Sequence, residues 1–107
     1  MADRALLPSI EITETGVTYA PPGGEAHTVR WDSLRAVLIE TTDQGPFLED
    51  VWWILVDEEG HCVIPQEAGS DVLLKRLQML PGFDNEAVIA AMGSVENKFF
   101  VCWQRQE

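Results

Sequence analysis

Cationic side chains are scarce in this chain. Seven Lys and Arg stand against eighteen Asp and Glu, for a net charge of −11. Between residues 36 and 74 there is no Lys or Arg at all, whereas nine acids fall in that span. A field of that sign repels phosphate backbones and anionic lipid, so nucleic acid and membrane surfaces are not expected partners. Cysteine is nearly missing too. Cys62 and Cys102 form no CxxC pattern, and both read as reduced core thiols acting as small hydrophobes. The only imidazoles are His27 and His61. His61 adjoins Cys62, but neighbours in a strand face apart, which argues against a ready dyad or a zinc pair. No stretch approaches the ~20 apolar residues of a membrane span. The opening MADRALLPSI lacks both the basic region and the apolar run of a signal peptide, so a cytoplasmic location is expected.

Recognisable chemistry is also lacking. Pro22-Gly23-Gly24 is followed by no Gly-Lys-Ser/Thr, and Gly93-Ser94 is not a nucleophile elbow. The loop from Asp43 to Asp50 offers three carboxylates, Asp43, Glu49 and Asp50, without the spacing of a calcium-binding EF-hand. The sequence therefore assigns no catalytic, cofactor-binding or metal-ligating residue, and no cofactor is expected.

What is present fits a single α+β domain spanning residues 1–107, with 46% hydrophobic residues. Ile10 and Ile12, then Val17 and Tyr19, alternate with polar residues about Thr15-Gly16, the pattern of a hairpin. Residues 27–31 form a third short strand and 34–40 a fourth. Val51 to Val56, VWWILV, is the most buried-looking strand, and Asp57-Glu58-Glu59-Gly60 turns it into a strand at 61–65. Residues 69–92 follow as two short helices hinged at Pro81-Gly82. Ser70 is the expected N-cap of the first and Asp84 that of the second. Leu73, Leu74 and Leu77, with Val88, Ile89 and Met92, are expected to meet the sheet. A last strand covers residues 98–105. Hairpin-length turns make the sheet mainly antiparallel, either open or curled into a partial barrel, with about six to seven strands and both helices on one face.

The segment 12–39, with Thr15-Gly16-Val17 and Val29-Arg30-Trp31-Asp32-Ser33-Leu34, resembles bacterial PH-like domains. Thr42-Asp43-Gln44-Gly45-Pro46 and Leu80-Pro81-Gly82-Phe83-Asp84-Asn85 resemble stretches of small uncharacterised bacterial proteins. The resemblance implies a PH-like strand pattern. It departs in its helices, because a PH fold ends in a single helix and here two precede a strand. Lipid-binding members use basic residues around the first hairpin, and residues 11–16 contain none, so phosphoinositide binding is not implied.

Two features point to a protein partner. Trp52 and Trp53 are adjacent in a strand and so face opposite ways; both can fill the core, or one of them can sit in a homodimer or partner contact, where tryptophan is enriched. Glu40, Asp43, Glu49, Asp50, Asp57, Glu58 and Glu59 lie on or beside the loop and turn flanking that strand. Together they suggest an acidic docking surface for a basic protein, as in an adaptor or an inhibitor of immunity type. Acidity also aids solubility by itself. A small enzyme or ligand-binding domain, with a site between sheet and helices, is the alternative. Strands 51–56 and 99–103 carry apolar residues on two faces, which also suggests a homodimer.

Overall fold

The computed structural model describes residues 9–43, 51–94 and 96–105. These residues form an α+β fold with two antiparallel sheets and two helices. The first sheet has the order β1-β2-β3, from Ser9–Ile12, Gly16–Ala20 and His27–Arg30. A 3-10 turn, Trp31–Ser33, leads into the second sheet, ordered β6-β5-β4-β7, from His61–Pro65, Val51–Asp57, Leu34–Thr41 and Lys98–Gln104. Helices α1 (Gln66–Leu77) and α2 (Asn85–Met92) lie between β6 and β7 in the chain. The described strands are divided between two sheets and do not close into a barrel.

Local chemistry explains the turns. Thr13 Oγ1 accepts from the amides of Thr15 and Gly16 and closes the first hairpin. Gly16 is required there, because a Cβ would collide with the Val29 carbonyl of the adjoining strand. Between the helices, Phe83 N–H donates to Leu80 O at 3.2 Å, with Pro81 and Gly82 at the centre and Gly82 at φ 81°. Proline followed by a positive-φ glycine is the requirement of a type II turn. Asp84 caps α2 as expected, its carboxylate accepting from Ala87 N–H at 3.1 Å.

The start of α1 differs from expectation. It begins at Gln66, directly after Pro65, so Ser70 is a helical residue and not the cap. A tertiary contact accounts for the earlier start: Trp53 Nε1 donates to the side chain of Gln66. That bond ties the first helical residue to the sheet and outweighs the local capping signal.

One buried cluster joins all layers. Trp53, Leu55, Ile39, Val37 and Ile64 from the four-stranded sheet meet Val17 and Val29 of the first sheet, and Leu73 and Leu77 of α1. Helix α1 lies against β1, β5 and β6, and α2 against β4 and β7. The apolar face of α2 is not the expected one. Val88 and Ala91 are buried, whereas Ile89 is 72% and Met92 41% exposed. At about 100° per residue, Ile89 points a quarter-turn away from Val88. Small Ala91 faces the sheet instead, with Ala87 partly buried beside it.

The last strand fastens these layers. Trp103 Nε1 donates to Pro81 O at 2.8 Å, and Asp84 N–H donates to Cys102 O at 2.8 Å, so β7 holds the turn between the helices. Arg105 reaches the junction of the two sheets, donating through Nε to Leu34 O at 2.7 Å and through a terminal nitrogen to Asp32 O at 2.9 Å. From the other side, the Arg76 guanidinium lies 4.2 Å from the Trp31 ring centroid, a cation–π contact.

Leu77 is fully buried, so Leu77→Ala is expected to cost about 2–5 kcal/mol in a denaturant titration. Ile89→Ala, at an exposed helical position, should stay within about 0.5 kcal/mol of the parent. Equal losses at the two sites would contradict the assigned faces.

Candidate interaction surface

The two faces of the four-stranded sheet have different fates. The inner face is covered by helices and the first sheet. The outer face is traced by cross-strand register. Trp52 pairs with Glu40 and Glu40 with Phe99; Val63 pairs with Ile54, Ile54 with Leu38 and Leu38 with Val101; His61 pairs with Val56 and Val56 with Ala36. Side chains directly opposite on neighbouring strands touch, so these rows make a continuous apolar surface. Phe99 is 59%, Val101 47% and Val63 38% exposed, while Leu38, Trp52, Ile54 and Val56 are half-buried.

A bulge in β7 decides that Phe99 and Val101 belong to this surface. Val37 pairs with Trp103 but Leu38 with Val101, leaving Cys102 as the extra residue. Cys102 and Trp103 are therefore both buried, and the alternation restarts with Val101 facing out.

Glu40 stands inside this surface between Trp52 and Phe99. Among the described residues, no cation lies within ion-pair distance of it. The centre of the face is a depression of about 770 Å³ bordered by Leu38, Glu40, Ile54, Val63 and Phe99, and by the turn from Asp57 to Gly60.

The residues expected at a partner surface divide accordingly. Trp52 is on the outer face. Trp53 is fully buried, so its side chain is a core residue and cannot meet a partner. Asp57 is also buried: its Oδ1 accepts from Glu59 N–H at 2.9 Å and Gly60 N–H at 2.8 Å, and its Oδ2 lies 4.0 Å from His27 Nε2. Its charge holds the turn, and Glu58 and Glu59 stay exposed at the rim. Asp43 is exposed just beyond β4, and Glu49 and Asp50 lie outside the described residues. Glu40, expected among the acids of a docking surface, shares this face with Trp52, and Leu38, Val63, Phe99 and Val101 join them without having been assigned to it. Period-2 alternation in each strand was the available signal, but it leaves the outward face unspecified.

A nucleophilic or metal role finds no geometry here. His61 is exposed and Cys62 buried, on opposite faces of β6. The Cys62 thiol is pushed up by burial and then by the Asp57 charge, the reverse of an activated thiolate. Cys62 and Cys102 are free, on strands at opposite edges of the sheet. Three strand spacings, roughly 14 Å, separate those edges and exceed the reach of a disulfide. Among the described residues, no three His, Cys, Asp or Glu side chains converge as metal ligands, and no helix is long and apolar enough to cross a membrane.

Comparison of the chain with protein-family models, with curated proteins and with solved structures finds no match.

The Cys102 thiol is pushed up from 9.0 to about 11, first by burial and then by the Asp84 charge. The unfolded chain gives up this proton near its ordinary pKa and the folded chain holds it longer. The contribution is thus whole below pH 9.0 and is lost as the pH rises toward about 11. Unfolding titrations across that interval should show a smaller alkaline decline for Cys102→Ala than for the parent. Parallel declines would contradict a buried thiol at this position.

Proposed function

We propose that this chain is a protein–protein interaction module whose contact surface is the outer face of the four-stranded sheet. One observation carries the reading: Leu38, Trp52, Ile54, Val63, Phe99 and Val101 form one continuous apolar surface by cross-strand register, on a chain with charge −11. Single exposed apolar side chains are ordinary, but contiguous apolar patches with polar rims mark interaction sites. Glu58 and Glu59 supply the rim, and their sign favours a basic partner. The space between sheet and helices is filled by Trp53, Leu55, Ile64, Leu73 and Leu77, all fully buried. That packing favours the contact reading over a ligand or substrate site there. A PH-like arrangement of strands and a cytoplasmic setting belong to the same proposal, and the antiparallel two-sheet fold is compatible with both. An adaptor or an inhibitor of immunity type would use such a surface.

Phe99→Asp and Val101→Asp change side chains that are already well exposed, so the double variant should melt close to the parent temperature. It is expected to lose the proteins that the parent retains in affinity capture from its native lysate, while a Val72→Asp control on the exposed side of α1 retains them. Glu58→Lys with Glu59→Lys should slow capture and flatten its salt dependence, because rim charges act mainly on association rate. Unchanged capture by the Phe99→Asp, Val101→Asp variant would overturn the reading.

A further inference from the structure

The chemistry and size of the outer face narrow what covers it. The face spans four strands and three rows of outward residues. At usual strand and residue spacings that is roughly 19 Å by 20 Å, about 400 Å² in projection. Two copies meeting on this face would bring together two chains of charge −11, each with a Glu40 that has no cation partner among the described residues. Self-association is therefore opposed by charge.

The same features suit a cationic helix. A helix is about 10 Å across, and 20 Å of it is about 14 residues, so one helix fits within the face and leaves its flanks near the rim. The central row Val63-Ile54-Leu38-Val101 offers apolar contact along the depression. To one side, Glu40 is a carboxylate between the half-buried Trp52 and the exposed Phe99. Covering it with an apolar or acidic surface would strand a charge away from water, which is costly. A Lys or Arg beside the apolar stripe of the incoming helix would pair with it. Glu58 and Glu59 lie at one end of the depression and favour further positive charge there.

Building on the interaction-module reading, we infer that the outer face takes an amphipathic cationic helix of a partner protein, with its apolar stripe on the Leu38–Ile54 row and a Lys or Arg on Glu40. Recognition of this kind reads anchors at i, i+3, i+4 and i+7 of the bound helix. Trp52, on the same row as Glu40, is a built-in reporter of its arrival.

The test uses the full chain and three synthetic peptides of about 18 residues, enough for a helix across the face. The first has leucines at helical spacing on one side and lysines elsewhere. The second has glutamates in place of the lysines, and the third is a scramble of the first. Binding is followed by calorimetry and tryptophan emission. The cationic amphipathic peptide is expected to bind, with the scramble at least tenfold weaker and the acidic peptide without measurable affinity. Glu40→Gln should weaken binding of the first peptide by about tenfold, the scale of one lost charge-assisted hydrogen bond. Phe99→Asp with Val101→Asp should abolish it. Absence of binding by the cationic peptide, equal binding of the scramble or the acidic peptide, or indifference to Glu40→Gln would each overturn the inference.

Sedimentation of the parent under the same conditions gives the remaining outcome. A monomer of 12.0 kDa is expected. A dimer lost in the Phe99→Asp, Val101→Asp variant would make a second copy the occupant, overturning the inference while leaving this face as a contact surface. Unchanged lysate capture by that double variant would instead remove the interaction-module reading itself.

Discussion

The constraint that governs this molecule is a four-stranded sheet with two apolar faces and, among the described residues, cover for only one. Trp53, Leu55, Val37, Ile39 and Ile64 fill the inner side and are fully buried, under α1, α2 and the first sheet. The cover is held by backbone and side-chain bonds from β7 and the residue that follows it: Trp103 to Pro81, Cys102 to Asp84 and Arg105 to the junction of the sheets. Those bonds fix where the helices lie and leave them no share in the outer face. The exposed row of Leu38, Ile54, Val63 and Val101 is the consequence of that arrangement.

The succession of strands and helices along the chain was legible because it rests on local patterns, whereas the division of the strands between two sheets was not. Alternation marked the hairpin, DEEG marked the turn between β5 and β6, and Pro81-Gly82 with Asp84 marked the second helix. The features that were not legible all depend on contacts between distant residues. The bond from Trp53 to Gln66 sets the start of α1, four residues before the serine that local chemistry favours. A bulge at Cys102 sets which of Phe99, Phe100 and Val101 face outward. Ile89 outranks Ala91 in hydrophobicity, yet Ala91 is buried, because α2 meets the sheet through Val88 and its small neighbours.

The candidate surface was half-readable for the same reason. Two adjacent tryptophans in a strand must face apart, so at least one core residue could be expected, while the other could fill a second buried layer or a contact surface. The acidic turn looked uniform, but its three carboxylates have different work. Asp57 closes the turn through two backbone amides, whereas Glu58 and Glu59 remain in water. Glu40 was legible as one acid of a docking surface, but not as a residue standing inside the apolar face. Register alone puts it between Trp52 and Phe99, with no cation partner among the described residues.

The central claim is that the outer face of the four-stranded sheet, and not the helical side, meets the partner. A photoreactive phenylalanine analogue placed at position 99 in cells tests it most directly, with a second at position 72 on the exposed side of α1. The account predicts covalent adducts of higher mass from position 99 and none from position 72. Adducts from position 72 with none from position 99 would contradict it.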